Sequence, residues 1–155
     1  MADHDRPSVL FLCTHNAGRS QMAMGFFAHL VGDRASAFSG GSEPADTVNA
    51  AAVAAMAEVG IDITDEQPRR WTDDIVRAAD VVVTMGCGDT CPHFPGKRYE
   101  TWELADPAGL GIDAVRPIRD DIERRVRVLL ADLGIDPPSN SPSPECGVTY
   151  RDIRD

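Results

Sequence analysis

A short apolar segment that ends at a cysteine most constrains what this chain can fold into. Val9 to Leu12 form an uninterrupted apolar run, which is typical of a strand buried on both faces. Cys13 ends the run, and after five intervening residues Arg19 and Ser20 begin a segment with helical patterning. This order of strand, cysteine, loop and helix predicts a loop that wraps around the Cys13 thiolate.

Such a loop is suited to holding an anion. Its backbone N–H groups converge, and the first turn of the following helix adds unpaired donors and the positive end of the helix dipole. Arg19 offers a planar guanidinium for two oxygens of a tetrahedral anion, and Ser20 can donate its hydroxyl to the Cys13 sulfur. The same donors stabilise a thiolate. The structural alternative is a buried cysteine at a strand end beside an unrelated arginine.

Composition narrows the function class. A chain of 155 residues suits one domain, and its net charge of −10 argues against binding to nucleic acid or to anionic membranes. No apolar run has the length of a membrane span, and the first residues lack the pattern of a signal peptide. We therefore expect a cytoplasmic protein without membrane attachment, in which an anionic ligand is attracted by a local positive pocket.

Apolar patterning predicts strands that alternate with helices. The predicted strands are Ser8–Leu12, Ala35–Ser39, Val81–Met85 and Arg98–Trp102. The predicted helices are Arg19–Val31, a second from an Asp46 or Thr47 cap to Val59, then Asp73–Ala79 and Asp113–Leu133. This alternation predicts an α/β fold, a three-layer sandwich around a central parallel four-stranded sheet. Residues 1–135 are predicted to form the domain, and the Pro- and Ser-rich residues 136–155 a loosely ordered tail.

Chemically useful side chains follow three of the predicted strands. Cys13 ends the first strand, Cys87 and Cys91 lie in the loop after the third, and Asp106 lies in the loop after the fourth. Ligands of parallel sheets bind beyond the carboxyl ends of the strands, so one cleft can hold all of these residues. In a reducing compartment, cysteines in such loops are typical of catalysis or metal binding rather than of structural disulfides.

These motifs together resemble the low-molecular-weight protein tyrosine phosphatase superfamily, and more closely its arsenate reductase branch. The resemblance covers residues 8 to 134 and rests on Cys13–Ser20, Ser39–Pro44, Ala79–Met85 and Asp106–Pro107. It implies that Cys13 is the nucleophile, that Asn16 holds the loop conformation and that Asp106 is the general acid. The implied oxyanion-binding residues are Thr14, His15, Asn16, Ala17, Gly18, Arg19 and Ser20.

Two features indicate the reductase branch. Phosphatases of this family usually follow the Asp-Pro pair with aromatic residues, whereas Ala108 and Gly109 follow it here. Thioredoxin-coupled arsenate reductases carry two further cysteines where this chain has Cys87 and Cys91. The match has two departures: many such reductases place six residues between those cysteines and this chain has three, and Gly18 stands where many members have a cysteine.

The resemblance implies reduction of arsenate to arsenite through a disulfide relay. Cys13 attacks arsenic, Cys87 then attacks the sulfur of the adduct, and Cys91 resolves the resulting disulfide. Thioredoxin would supply the electrons, no cofactor or metal would be bound, and phosphate or sulfate would compete for the loop.

Other functions fit parts of the pattern. A small thiol such as mycothiol, with a mycoredoxin, could replace the relay, and then Cys13 alone would be essential. A tyrosine phosphatase needs only Cys13, Arg19 and Asp106, and a non-enzymatic oxyanion sensor needs only the loop. For Cys87 and Cys91 the alternatives are half of a zinc site with His93, or inert thiols.

Overall fold

A computed structural model describes residues 7–32, 34–85, 97–105, 107 and 109–135 of the chain. Its strands are β1 (Ser8–Cys13), β2 (Ser36–Gly41), β3 (Val81–Thr84) and β4 (Arg98–Thr101). Its helices are α1 (Arg19–Val31), α2 (Ala50–Glu58), α3 (Asp73–Ala78) and α4 (Ile112–Leu133). The predicted tail, residues 136–155, lies outside the described residues.

The four strands form one sheet in the order β2-β1-β3-β4, and every pair is parallel. Successive side chains of β1 point to opposite faces, so Val9 and Phe11 join one core cluster while Leu10 and Leu12 join another. Helices α1, α2 and α4 cover the first face, and α3 covers the second. This confirms the predicted three-layer sandwich with a parallel four-stranded sheet.

The central position of β1 decides where a ligand can bind. The chain passes from β1 to β2 on one side of it and returns to β3 on the other. Strand order reverses at this point, and crevices of α/β sheets open at the carboxyl ends of strands beside such a reversal. The loop that follows Cys13 therefore begins in the crevice itself.

Strand β2 is longer than predicted. The sequence predicts a strand that stops at Ser39 before a turn, but Gly40 and Gly41 continue it and pair with the end of β1. The Gly41 N–H also donates to the carbonyl of Arg69 at 2.9 Å, so a segment distant in sequence covers the end of the strand. The two glycines let these backbones approach closely, because a Cβ at Gly40 would lie 3.0 Å from Trp71 Cβ.

The start of α2 also differs from the prediction. Asp46 and Thr47 do not cap this helix. Asn49 is the N-cap, and its side chain accepts a hydrogen bond from the Ala52 N–H at 3.1 Å. Three cap-competent residues occur within four positions, and tertiary contacts of Asn49 described below select one of them.

Helix α4 begins one residue earlier than predicted, at Ile112, where the Val115 N–H bonds to Gly111 O at 3.1 Å. Pro117 is the sixth residue of the helix and lies in its second turn. The helix ends as predicted at Gly134, whose φ of 74° is in the left-handed region. Of the helices in the described part of the chain, none combines the length and the apolar character needed to span a membrane.

Candidate active site

The Cys13 sulfur is buried at the carboxyl end of β1 and is surrounded by hydrogen-bond donors. Its side chain is only 2% exposed. The Ser20 hydroxyl oxygen lies 2.8 Å from the sulfur, and the Asn16 backbone N–H donates to it at 3.2 Å. We call residues 13–20 the anion loop. Donors aimed at one sulfur atom stabilise its thiolate form.

A chain of hydrogen bonds fixes the direction of the Ser20 proton. The backbone N–H of Arg69 can only donate, and it donates to Asn16 Oδ1 at 2.9 Å. This orients the Asn16 amide so that Nδ2 donates to Ser20 Oγ at 2.7 Å. Because Ser20 Oγ accepts this bond, its own proton is available to the Cys13 sulfur. The backbone of Arg69, which lies 53 positions from Asn16 in the sequence, therefore determines that the Ser20 proton is available to the Cys13 sulfur.

Asn16 adopts a left-handed backbone conformation, with φ at 51°, and it is fully buried. Few residues other than glycine tolerate this region, and asparagine is one of them. The Gln21 side chain stabilises the conformation by donating from Nε2 to Asn16 O at 3.0 Å. The loop thus holds a strained residue in place with buried hydrogen bonds.

The carbonyl groups of the anion loop point away from the sulfur, because outside groups bind them. The donors and acceptors are Glu43 N to Thr14 O (2.8 Å), Ala45 N to His15 O (3.0 Å), Asn49 N to Ala17 O (2.8 Å) and Met22 N to Gly18 O (2.9 Å). In a trans peptide the next N–H points opposite to the carbonyl, and no peptide among the described residues is cis. The N–H groups of residues 15, 16, 18 and 19 therefore point to the opposite side of the loop, and the Asn16 N–H donates to the Cys13 sulfur there, so this side forms an anion cradle.

Gly41 permits this arrangement, a role that the sequence did not reveal. A Cβ at Gly41 would lie 2.6 Å from Thr14 O and 3.0 Å from Asn16 N. Only glycine lets the end of β2 approach the anion loop so closely. The only trace of this role in the sequence is the pair Gly40-Gly41. That pair predicted a turn instead of the close approach of β2 to the anion loop.

A pocket of about 240 Å³ opens above the anion loop. Cys13, Gly18 and Arg19 form its floor, and Thr47, Asn49 and Pro107 contribute to its walls. Its described lining residues include no Phe, Tyr or Trp. The space suits a small tetrahedral anion and offers no wall of described Phe, Tyr or Trp side chains for a phenyl ring.

A larger groove of about 620 Å³ lies between α1 and β2. Its lining includes Met24, Phe38 and Ile61 but neither Cys13 nor Arg19. Pocket size therefore does not identify the candidate active site. The hydrogen-bond donors around the Cys13 sulfur identify it.

Arg19 begins α1 and connects the anion loop to the segment after β4. It is 7% exposed, and its Nη1 donates to Leu104 O at 3.4 Å. His15 lies at the mouth of the pocket with Nδ1 3.0 Å from Glu43 O. Since a carbonyl oxygen only accepts, His15 carries a proton on Nδ1.

The remaining predicted site residues, Cys87, Cys91 and Asp106, lie outside the described residues. The structure brings together the whole of residues 13–20 and places Leu104 and Pro107, which flank position 106, beside them. Sequence reasoning missed Asn49, Gln21 and the Arg69 backbone. Within the described ranges, no group of three or more His, Cys, Asp or Glu side chains could hold a metal ion.

Comparison with known proteins agrees with this geometry. Residues 8–138 match the family described as low molecular weight phosphotyrosine protein phosphatase. An arsenate reductase 1 of Bacillus cereus is 41% identical over 128 residues, covering 79% of this chain and 93% of the relative.

Solved structures give the same result. A Corynebacterium glutamicum thioredoxin-dependent arsenate reductase superposes with a TM-score of 0.75 at 40% identity, covering 83% of this chain; the chain spans 62% of that structure's length. A structure described as an arsenate reductase in the phosphate binding state superposes with a TM-score of 0.70 at 33% identity, covering 81% and 98% of the two chains.

Proposed function

We propose that this chain, which belongs to the low molecular weight phosphotyrosine protein phosphatase family, reduces arsenate to arsenite. The observation that carries the proposal is the buried Cys13 sulfur, which accepts a hydrogen bond from the Asn16 N–H and lies beside the Ser20 hydroxyl at the start of α1. Relatives named arsenate reductase, similar over most of their length, support arsenate as the substrate. A similar structure in a phosphate binding state supports the binding of a tetrahedral oxyanion.

In the first step the Cys13 thiolate attacks arsenic, and a sulfur–arsenic bond replaces an arsenic–oxygen bond. The cradle and Arg19 hold the remaining oxygens, which carry the negative charge. A hydroxyl group of the protonated arsenate takes a proton from Asp106 and leaves as water. Ser20 holds the thiolate through its hydroxyl before the attack and remains hydrogen-bonded to Asn16.

In the second step the Cys87 thiolate attacks the Cys13 sulfur. A disulfide forms, and the electron pair of the sulfur–arsenic bond stays on arsenic, which leaves as arsenite. Cys91 then attacks Cys87, which frees Cys13 and leaves a Cys87–Cys91 disulfide. Two thiols are thereby oxidised for each arsenic reduced. We propose that a thioredoxin restores them in the cytoplasm, with no bound cofactor.

Mass spectrometry of protein quenched during arsenate turnover tests the relay. We expect a Cys87–Cys91 disulfide in the wild type and a trapped Cys13–Cys87 disulfide in Cys91→Ser. Cys87→Ser should stop steady turnover with thioredoxin, while the matched control Cys146→Ser should turn over at the wild-type rate.

Two outcomes would replace this proposal. A mixed disulfide or arsenic adduct with a small thiol, together with an active Cys87→Ser variant, would indicate a mycothiol and mycoredoxin pathway. Efficient hydrolysis of phosphotyrosine peptides without arsenite formation would indicate a phosphatase. Weak hydrolysis of an aryl phosphate decides nothing, because the nucleophile and the cradle are shared by both reactions.

A further inference from the structure

We propose that Gly18 and Asn49 form a seat for Pro107, and that this seat fixes the backbone at the residue to which Asp106 is bonded in the chain. Gly18 and Asn49 would then be positioning residues, acting on the reaction through the acid. The catalytic part of this proposal rests on the function proposed above, in which Asp106 protonates the leaving oxygen.

The contact between Gly18 and Pro107 leaves no room for a side chain. A Cβ built on Gly18 would lie 2.5 Å from Pro107 Cγ, 3.5 Å from Cδ and 3.7 Å from Cβ. The Pro107 ring is buried and cannot rotate away as a flexible side chain would. In this chain a Cβ at position 18 therefore requires the Pro107 ring and the backbone at residue 18 to move apart.

Asn49 binds the carbonyl group of the same proline. Its Nδ2 donates to Pro107 O at 3.4 Å, while its Oδ1 caps α2 through the Ala52 N–H at 3.1 Å. Its backbone N–H donates to Ala17 O of the anion loop at 2.8 Å. One side chain thus joins the anion loop, the start of α2 and the segment after β4.

Contacts on both sides of position 106 make the seat specific for this segment. Arg19 Nη1 donates to Leu104 O at 3.4 Å, and the Leu110 N–H donates to Pro107 O at 3.0 Å. The proline nitrogen belongs to the peptide bond with Asp106, so displacement of the ring also displaces that peptide. A shift of about 1 Å in a reacting group can cost about a hundredfold in rate.

Gly18→Ala tests the seat, with Gly111→Ala as the matched control. Nothing lies within 4 Å of a Cβ at Gly111, and its φ of −78° suits alanine. We expect Gly18→Ala to lower kcat for arsenate by about tenfold to a hundredfold. The control should keep the wild-type kcat.

A double variant distinguishes an effect of Gly18 on the position of the acid from a general defect in the anion loop. In an Asp106→Asn background the acid is already lost, so Gly18→Ala should cost no further rate. A full additional loss in that background would overturn the proposal, because Gly18 would then act on something other than the acid.

Asn49→Ser removes the hydrogen bond to Pro107 and keeps an N-cap, since serine caps helices about as well as asparagine. We expect the thermal midpoint of unfolding to stay near that of the wild type while kcat falls by a smaller factor than in Gly18→Ala. An unchanged kcat in Asn49→Ser would refute its part in the seat.

The rate at which Cys13 is alkylated tests the seat without any turnover. The variants are made in a chain whose other three cysteines are replaced by serine. Because a displaced Pro107 opens the pocket wall, iodoacetamide should modify Cys13 several-fold faster in Gly18→Ala than in Gly111→Ala. Equal rates would refute the seat. If the wild type forms no arsenite, the proposed function fails, whereas this comparison still decides whether Gly18 seats Pro107.

Discussion

The anion loop and the contact between α2 and α4 are both held by polar side chains, but their networks differ in burial. Asn16 and Ser20 of the loop, and Gln21 next to it in α1, are fully buried. Between the helices, exposed Glu58 of α2 receives hydrogen bonds from both Arg116 and Arg119 of α4. We call these three residues the interhelix charge cluster.

The difference shows where this molecule can tolerate change. A buried polar group that loses its partner costs about 1–3 kcal/mol, because water cannot replace the bond. An exposed ion pair contributes about 0–1 kcal/mol, since water and a second partner compete for the same charge. Removal of a buried side chain from the loop network should therefore cost more than removal of one arginine beside Glu58, which keeps the other.

Asn16→Ala should be the most damaging change. It removes the buried bonds to Arg69 N and Ser20 Oγ and places alanine at a φ of 51°. We expect a loss of about 3–4 kcal/mol in the free energy of unfolding, measured by urea denaturation. Asn16→Gly should recover about 1 kcal/mol of this, because glycine accepts the left-handed conformation. Equal stability of the two variants would show that the backbone conformation carries no cost.

Gly41→Ala should rank second. Its Cβ would lie 2.6 Å from Thr14 O, which is backbone and cannot rotate away. We expect a loss of about 2–3 kcal/mol in the free energy of unfolding, together with weaker phosphate binding measured by calorimetry. Gly111→Ala is again the control. A variant as stable as this control would mean that β2 can move away from the loop without cost.

Arg119 tests whether burial or charge decides the strength of the interhelix charge cluster. Its side chain is 10% exposed and donates to Ala55 O at 2.9 Å, near the end of α2. Arg119→Met should cost about 1–2 kcal/mol. Arg116→Met, at a side chain 42% exposed, should cost less than about 0.5 kcal/mol. A larger loss of stability in Arg116→Met than in Arg119→Met, measured by thermal or urea unfolding, would show that burial does not decide the strength of this cluster.

The pH dependence of stability tests the ionisation of Glu58 in the same cluster, and we expect this effect to be the smallest. Hydrogen bonds from Arg116 and then Arg119 lower the pKa of Glu58 to about 2, from 4.5. Because the folded pKa is depressed, the stabilisation is present above about pH 4.5 and is lost as the pH falls towards 2. The stability difference between wild type and Glu58→Gln should therefore shrink across this window. A difference that stays constant there would show that the charge of Glu58 contributes nothing.

Much of the fold was predictable because its signals are local. The span of α1 matches the prediction from Arg19 to Val31, since an apolar stripe defines its face and Gly32 follows its last residue. The β1 segment was recognisable as central because every residue from Val9 to Leu12 is apolar. The Cys13–Ser20 motif was recognisable because its chemistry lies within one continuous stretch.

The errors arose where a local signal had competing answers. Three residues before α2 could cap it, and Asn49 was selected by its bonds to Ala17 and Pro107. The Gly40-Gly41 pair is as typical of a turn as of a close strand contact, and its pairing with β1 decided between them. Neither outcome could be derived from neighbours in sequence, because the deciding partners lie on other elements.

The sequence by itself determined the order of strands and helices, the position of a cysteine at the end of the central strand, and the arginine and serine that begin the next helix. Patterning and capping act over a few residues, so they are visible in the chain. Only the tertiary structure decided which way the anion loop presents its N–H groups. That orientation depends on backbone donors from residues 43, 45, 49 and 69, which reach the loop only once the sheet and its surrounding segments have assembled.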